Sequence, residues 1–259
     1  MNSIKWKSKF LFKGSKWIFI PTDDSISTGR EIQASIQKRW TTPPFFYHLR
    51  KGGHVEALRQ HINSEFFLRL DISNFFGSIN RTRVTRSLKQ LVSYVDARNW
   101  AHASTVPLPT NRTIKILPFG FVQSQIIASV CLNDSALGIA LEKIHNKNDL
   151  VVTVYVDDII VSSSSEHLIN EVHQELCIAC ERSGFTFNLT KSQGPAQSIT
   201  AFNVFITNNE MHLTEERLAD FTRKMNESES SVEKRSIIAY VDSINYDQAS
   251  QLKDLTGVP

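Results

Sequence analysis

The stretch VVTVYVDDIIVSS, residues 151–163, joins two β-branched apolar runs through the short turn Tyr155-Val156-Asp157-Asp158. Such runs on either side of a turn are typical of a β-hairpin. Asp157 and Asp158 repel one another beside an apolar sheet, which is costly unless a cation neutralises them. Because side chains alternate along an extended chain, at least one of the two should face a shared cleft. The stretch predicts a metal-binding hairpin, although aspartate is also common in ordinary turns.

Asp71 is a second carboxylate in the same kind of setting. It follows the apolar strand pattern at residues 67–70 and precedes Ile72 and two nearby phenylalanines. A carboxylate among so many apolar neighbours again calls for a positive partner. If the two strands lie side by side, Asp71 and Asp157 can hold two Mg²⁺ ions about 3.5–4 Å apart, the separation used in phosphoryl displacement. The two sites together favour metal binding over an ordinary turn.

Hydrophobic periodicity and turn residues predict a mixture of helices and strands. Helices are predicted at residues 29–40, 54–63, 80–91, 123–145 and 166–183. Strands are predicted at residues 17–20, 66–72, 151–154, 159–163, 185–189, 199–206 and 211–213. Residues 45–50 are expected to be extended and residues 101–115 to form a loop. The chain after residue 214 reads as charged helix, polar linker and final helix, so the predicted fold class is α+β.

Composition is that of an ordinary globular protein. Of the 259 residues, 41% are hydrophobic and 21% are charged, and no apolar run approaches the roughly 20 residues of a membrane span. Residues 1–20 do not resemble a secretory signal. Cys177 and Cys180 lie in a helical pattern without a second pair, so they and Cys131 are interpreted as buried small side chains. We therefore expect a cytoplasmic protein with no membrane partner.

Cations are placed unevenly, although the net charge is only +3. Five lysines precede the first acid, interleaved with aromatic residues: Lys5, Lys7, Lys9, Lys13 and Lys16. A second cluster follows later: Arg81, Arg83, Arg86 and Lys89. This pattern suits phosphate contacts beside base stacking. The alternative is an exposed edge strand whose lysines prevent aggregation.

Four short blocks stand in a recognisable order. They are Leu70–Phe76 (LDISNFF), Leu117–Ser124 (LPFGFVQS), Tyr155–Asp158 (YVDD) and Gly184–Lys191 (GFTFNLTK). In this order they resemble the first catalytic block, the Leu-Pro-x-Gly block, the second catalytic block and the glycine–asparagine–lysine block of reverse transcriptases. The resemblance covers roughly residues 45–215. It is nearest to the small bacterial reverse transcriptases of retrons and antiphage defence.

The resemblance implies a right-hand polymerase fold, with an antiparallel palm sheet flanked by helices. The implied segments are 1–66 (fingers), 67–80 (palm, first catalytic strand), 81–115 (insertion), 116–213 (palm with catalytic turn and primer-grip hairpin) and 214–259 (short helical thumb). The implied activity is RNA-directed DNA synthesis from dNTPs with two Mg²⁺ ions, Mn²⁺ being an alternative. A structured non-coding RNA template, a DNA product, and a partner protein or second copy are the implied partners.

The family's residue roles carry over position by position. Asp71, Asp157 and Asp158 would hold the metal ions, with the backbone carbonyl of Ile72. Phe76 lies at the steric-gate position, where an aromatic ring crowds a ribose 2′-hydroxyl, with plain core packing as the alternative. Further dNTP contacts are implied for Gly120, Gln123 and Lys191, and primer or template contacts for Tyr155, Phe119, Ser124 and Phe205. Gln123 and Ser124 could instead simply begin a helix, and Lys191 could be a solvated lysine.

Two departures from the family pattern affect the nucleotide site. Phe119 stands where many relatives carry glutamine, so a polar side-chain contact is absent there. The fingers also lack the usual Lys-x-x-Gly-x-x-Arg pattern. Since the β- and γ-phosphates need fixed cations, Arg50, Lys51 and Arg59 are the candidates to bind the triphosphate.

Three functions stay open at this point. The first is an RNA-directed DNA polymerase, in bacteria serving antiphage defence. The second keeps the fold but synthesises DNA without a template or from a protein primer, which Phe119 and the altered fingers allow. The third is a catalytically silent RNA-binding subunit, which the three aspartates argue against.

Overall fold

The computed structural model describes residues 4–12 and 16–256. Lys13 and the outermost residues of the predicted fingers (1–66) and thumb (214–259) lie outside this part of the chain. The strands are β1 (Trp6–Phe12), β2 (Lys16–Pro21), β3 (Phe66–Asp71), β4 (Val106–Leu108), β5 (Asn111–Ile116), β6 (Val151–Tyr155), β7 (Asp158–Ser163), β8 (Gln193–Ala196), β9 (Ser198–Ala201), β10 (Val204–Thr207) and β11 (Glu210–Leu213). The helices are α1 (Asp23–Arg39), α2 (Gly53–Arg59), α3 (Phe75–Ser78), α4 (Arg81–Leu88), α5 (Tyr94–Ser104), α6 (Ser124–Asn133), α7 (Ala136–His145), α8 (Glu166–Arg182), α9 (Glu215–Glu227), α10 (Ser231–Asp242) and α11 (Tyr246–Thr256).

A four-stranded antiparallel sheet in the order β6-β7-β3-β8 forms the centre of the molecule. Its strands alternate between two faces, as the pleat requires. Leu68 and Leu70 of β3 join the larger core, to which α6, α7 and α8 contribute. Phe67 of β3 and Ile160 of β7 join a second core with β9–β11 and α9–α11. The α+β prediction, with helices flanking a central sheet, is confirmed.

The N-terminal hairpin β1–β2 is joined to the rest through a third, smaller core. Phe19 of β2 packs with Val106, Ile116 and Phe121, which lie on or next to the hairpin β4–β5. The Phe19 amide also donates to the carbonyl of Phe119 at 3.0 Å. These contacts place β2 beside the Leu-Pro-Phe-Gly loop at residues 117–120.

Several predicted elements differ from the observed ones. The single helix predicted at 123–145 is two helices, α6 and α7, which meet at 78°. The break falls at Ser135, whose hydroxyl accepts a hydrogen bond from the Gly138 amide at 3.2 Å and so caps a new helix. The helix predicted at 29–40 begins earlier, because Thr22 caps it and Asp23 and Asp24 favour its N-terminus.

Other predictions fail in the loops. The loop predicted at 101–115 is the end of α5 followed by the hairpin β4–β5, and residues 45–50 contain a 3₁₀ turn at Tyr47–Leu49. The strand predicted at 185–189 reduces to one bridge between Phe187 and Ile72, and the fourth strand of the sheet is β8. The strand predicted at 199–206 is two strands separated by a turn at residues 202–203.

Two further findings concern the cysteines and the lengths of the helices. Cys131 and Cys180 are buried and Cys177 is half-buried, all three as free thiols, and burial raises the pKa of Cys131 to about 12. Within the described residues, no single helix is long and apolar enough to cross a membrane, and α6 with α7 meets that length and composition test only as a bent pair.

Candidate active site

The three predicted aspartates come together at one end of the central sheet. Asp71, the last residue of β3, lies directly opposite Asp158, the first residue of β7. Asp157 lies in the turn before β7, and its carbonyl accepts a hydrogen bond from the Ile72 amide at 2.8 Å. The Asn188 amide donates to the Asp71 carbonyl, also at 2.8 Å. The two segments that carry these acids are therefore hydrogen-bonded to each other, and Asn188 adds a bond from a third segment.

Two of the acids are paired with cations. The Lys191 ammonium lies 3.2 Å from Oδ2 of Asp71. Arg69 donates through Nε and Nη2 to Oδ1 of Asp158, at 2.9 and 2.7 Å, and through Nη1 to the Thr200 carbonyl at 2.7 Å. The side chains of Asp71 and Asp158 are only 5% and 13% exposed, so both carboxylates are largely shielded from water, as is Arg69, whereas Lys191 is half exposed.

Asp157 forms no ion pair with any described residue. Burial raises the pKa of its carboxyl, and the charges of Asp158 and Asp71 raise it further, while the Lys16 ammonium opposes the shift. Burial also raises the pKa of Asp158, against the opposing effect of Arg69. The negative charge of Asp157 is thus the least compensated in the cluster.

A cavity of about 490 Å³ opens beside Asp71 and Asp157. Lys191 and Asn188 line it on the side of the central sheet, while Lys16 and Trp17 of β2 line it on the side of the N-terminal hairpin. Its volume suits a nucleotide-sized ligand. The cavity therefore places two carboxylates and two ammonium groups around one space.

Two of the three aspartates are placed to bind a divalent cation. In residues 4–12 and 16–256, no group of three or more His, Cys, Asp or Glu side chains is arranged to hold a metal ion. Asp71, Ile72 and Asp157 nevertheless all line the cavity. Carboxylate and carbonyl oxygens are the ligands that Mg²⁺ prefers. The carboxylates of Asp71 and Asp157 therefore suit the ion, whereas Asp158 is held by Arg69. The role of the Ile72 carbonyl stays a prediction.

His48 supports the catalytic turn, a role that sequence reasoning missed. Val156 has φ +59, a region that is unfavourable for a β-branched residue. Its amide donates to Nδ1 of His48 at 3.0 Å, and Nε2 of His48 lies 2.7 Å from Oγ of Ser129. Since Nδ1 accepts, the proton lies on Nε2 and is donated to Ser129, whose hydroxyl donates to the Gln125 carbonyl. Burial lowers the pKa of His48 to about 4, so the ring is neutral at neutral pH.

Phe119, rather than Phe76, lines the cavity, together with the aromatic side chain of Trp17. The Phe76 ring packs behind it, with centroids 4.6 Å apart, and is 8% exposed. Gly120 has φ +102, and a Cβ there would lie 2.2 Å from the Phe19 carbonyl. Gly120 therefore permits the close approach of β2; the predicted approach of a base pair to it stays a prediction.

The predicted triphosphate cations lie away from the cavity lining. Arg50 donates to the Pro44 carbonyl and packs on the Tyr47 ring, and Lys51 is exposed. Arg59 donates to the Ser243 carbonyl and pairs with Glu56. The lysines that do line the cavity are Lys16 and Lys191. Lys16 was recognised from the sequence only as one of a run of basic residues.

The remaining predicted contacts have defined places. Gln123 and Ser124 are buried at the start of α6, where Gln123 donates to Oγ of Ser104 at 3.2 Å. The Tyr155 ring contacts the rings of His48, His54 and Phe202. The Phe205 ring stacks on His212 in the neighbouring strand β11. The roles of these four residues in binding primer, template or nucleotide stay predictions.

Comparison with known proteins decides the family. The family described as reverse transcriptase (RNA-dependent DNA polymerase) matches residues 25–204, more than half of the chain. The chain belongs to this family. The match contains Asp71, the loop at 117–120, the Asp157–Asp158 turn and Lys191, so all four blocks lie within the matched region.

Solved structures support the same fold. A foamy viral protease–reverse transcriptase in complex with double-stranded DNA is 18% identical, with a TM-score of 0.52, over 96% of this chain and 38% of that one. Telomerase from Candida albicans, with a fragment of telomeric RNA, is 12% identical, with a TM-score of 0.55, over 90% of this chain and 47% of that one. Apo telomerase from Candida tropicalis is 11% identical, with a TM-score of 0.51, over 73% of this chain and 45% of that one. The chain spans less than half the length of each, and these likenesses concern the fold alone.

Proposed function

We propose that this reverse transcriptase family member is an RNA-directed DNA polymerase that adds dNTPs to a primer 3′-hydroxyl. The observation that carries the proposal is that Asp71 and Asp157, from two neighbouring parts of the sheet, face one cavity of about 490 Å³ together with Lys16 and Lys191. Nucleotidyl transfer needs this combination, because carboxylates hold the metal ions and cations balance the triphosphate.

Each residue has a chemical task in this proposal. Asp71, Asp157 and the Ile72 carbonyl would hold two Mg²⁺ ions, which activate the 3′-hydroxyl and stabilise the departing pyrophosphate when bound. Lys16 and Lys191 attract the triphosphate from opposite sides of the cavity. Lys191 is also a proton source for pyrophosphate. Phe119, backed by Phe76, forms the wall against which the sugar of the dNTP would pack.

The finer assignment rests on the resemblance of the four blocks. It supports cytoplasmic antiphage defence with a dedicated non-coding RNA as template, a DNA product, and a partner protein or second copy holding part of the duplex. Sequencing the nucleic acid that co-purifies with the protein tests this assignment. Recovery of one defined RNA with complementary DNA supports it, whereas recovery of unrelated cellular RNA contradicts it.

Primer extension tests the activity itself. Purified protein, Mg²⁺, labelled dNTPs and a primed RNA template should give extension that follows the template, and Asp157→Asn should abolish it. Incorporation without template, or from the protein itself, would support the template-independent or protein-primed alternative. Equal absence of incorporation by wild type and Asp157→Asn, across RNA and DNA templates, would support the silent subunit.

A further inference from the structure

A second cavity, of about 270 Å³, lies outside the active site and is lined by cations. Lys5 of the N-terminal hairpin, Arg81 at the start of α4, and Lys115 of β5 all line it, together with His102 and Thr105 at the end of α5. No aspartate or glutamate is among its lining residues in the described chain. Its charge is therefore uniformly positive.

All three cations are held by hydrogen bonds, and the Lys115 ammonium donates to the Arg112 carbonyl. The Lys5 ammonium donates to the carbonyls of His102 and Thr105, and the latter distance is 3.0 Å. Arg81 donates through Nε to Oγ1 of Thr105 at 2.7 Å. The Nη groups of Arg81 make no hydrogen bond to described residues, so this edge of the guanidinium is available for a ligand.

The cations also repel one another at close range. Burial, together with the charges of Arg81 and Lys115, lowers the pKa of Lys5 to about 8. Burial, followed by the charges of Lys5 and Arg81, likewise lowers the pKa of His102. Gathering these groups without a carboxylate is unfavourable, and a bound anion would relieve the repulsion. Phosphate is the anion that a guanidinium edge and ammonium groups recognise best.

The position of this cavity connects it with the active site. The hairpin β4–β5 contributes Pro107 and Lys115 to the cationic cavity, and Leu108 and Ile116 to the cavity beside Asp71. A template strand that enters the active site across this hairpin would meet the cations. Trp6 also lines the cationic cavity and offers an aromatic surface to a neighbouring base.

We propose that the cavity formed by Lys5, Arg81 and Lys115 binds a backbone phosphate of the single-stranded template that enters the active site. The proposal rests on the proposed polymerase function for the identity of the strand. The site adds affinity away from the reacting atoms and takes no part in the chemical step.

Equilibrium binding of fluorescently labelled single-stranded RNA and DNA oligonucleotides, measured against salt concentration, tests the proposal. Lys115→Gln and Arg81→Gln should each weaken binding roughly 5- to 10-fold near 0.1 M salt and lower the salt dependence by about 0.7 in slope per lost phosphate contact. Lys38→Gln and Arg39→Gln, at the exposed end of α1, are matched controls that should change neither quantity. Arg81→Lys keeps the charge and should restore most of the affinity.

Three results would overturn the proposal. The first is that Lys115→Gln and Arg81→Gln bind oligonucleotides with the same affinity and salt slope as the wild type. The second is that the α1 controls lose as much affinity as the cavity variants do. The third is protection of the wild type from thermal unfolding by inorganic phosphate, lost in Lys115→Gln while RNA affinity is unchanged, which would identify a site for free phosphate. The binding measurement needs no turnover, so it can be made even if primer extension fails. If the wild type extends primers and the cavity variants bind oligonucleotides as the wild type does, the phosphate site is rejected and the polymerase function stands.

Discussion

Arg69 and Asp158 form a two-pronged ion pair between β3 and β7, in which Nε and Nη2 of Arg69 donate to the same carboxylate oxygen. Asp158 is thereby engaged by the protein itself, while Asp157 in the adjacent position is not. Asp158, the second aspartate of the turn, should therefore hold the turn in place rather than bind a metal ion. Asp157 and Asp71 are left as the metal-binding pair.

We expect Asp157→Asn to abolish extension and Asp158→Asn to leave measurable activity. Arg69→Gln should destabilise the fold by about 3 kcal/mol, because it leaves a buried carboxylate unpaired. The double variant Arg69→Gln/Asp158→Asn should recover much of this loss in urea unfolding, since both charges are then gone. Additive losses in the double variant would contradict the pairing, and equal inactivity of the two aspartate variants would contradict the division of roles.

Removing the charge of Asp157 should stabilise the metal-free protein. The folded-state pKa of Asp157 is raised above its ordinary value, so its contribution to stability is present below that ordinary value and is lost as pH rises through the folded pKa. In EDTA, Asp157→Asn should melt at a higher temperature than the wild type at pH 7, and the difference should vanish near pH 3. Mg²⁺ should raise the melting temperature of the wild type more than that of the variant. A Mg²⁺ effect of the same size in both proteins would count against Asp157 as a ligand.

His48 should act through its Nδ1 acceptor. Asn places its Oδ1 near the position of Nδ1 and can accept from the Val156 amide, whereas Gln retains only a donor near Ser129. We expect His48→Asn to keep kcat within about 3-fold, and His48→Gln and His48→Ala to lower it roughly 10- to 100-fold through misplacement of the turn, with KM for dNTP little changed. Equal kcat in the Asn and Gln variants, at equal thermal stability, would reject this positioning role.

The pH profile provides a separate check on His48. Its pKa is lowered to about 4, so the stability that its neutral form contributes is present above the ordinary pKa of 6.5 and is lost as pH falls through about 4. His48 should therefore contribute no titration of kcat near pH 6.5. The pH profiles of wild type and His48→Asn should have the same shape in that range.

Lys16, rather than Arg50, Lys51 or Arg59, should bind the triphosphate. Lys16→Gln is expected to raise KM for dNTP roughly 10-fold, the cost of one charge-assisted contact. Arg59→Gln is the matched control, because Arg59 pairs with Glu56 and contacts Ser243 instead of the cavity. Steady-state kinetics with saturating primer and template separate the two. A larger KM effect for Arg59→Gln would restore the prediction made from the sequence.

Phe76→Val should raise ribonucleotide incorporation relative to deoxynucleotide. The Phe76 ring supports Phe119, which lines the cavity, so shortening it allows Phe119 to move away from a 2′-hydroxyl. Competition between rNTP and dNTP in one extension reaction measures the ratio. Phe75→Val, in the same core but facing Phe185 as well, is the control for general loosening. An unchanged ratio in an active Phe76→Val enzyme would remove the gate assignment.

The central sheet was predictable because its signals are local. The β-branched runs on both sides of Asp157 and Asp158 specify a hairpin. The apolar strand before Asp71 must be buried, and pairing with this hairpin in one sheet buries it. The register that places Asp71 opposite Asp158 was not predictable, because both strands are buried almost continuously and show no hydrophobic alternation that would fix it. The α6–α7 break was missed, since a capping serine inside a continuous apolar pattern is a weak signal beside the periodicity.

The charged parts of the site could not be predicted because they depend on long-range contacts. Lys16 reaches the cavity only when the N-terminal hairpin packs on the loop at 117–120, and nothing near Lys16 in the sequence indicates this. His48 and Val156 are separated by 108 residues and meet through one hydrogen bond. The pairing of Arg69 with Asp158 required the register of two strands to be known.

The contact between Gly120 and Phe19 has a consequence for the order of folding. Residues 16–21 are synthesised about a hundred residues before the loop at 117–120 on which they pack. The side of β2 that contacts this loop therefore has no partner until residues 119–121 have been made. Contacts so distant in sequence are entropically slow to form. One wall of the nucleotide cavity should therefore be completed late in folding, and nascent chains that end before the loop would carry an exposed aromatic hairpin for chaperones to bind.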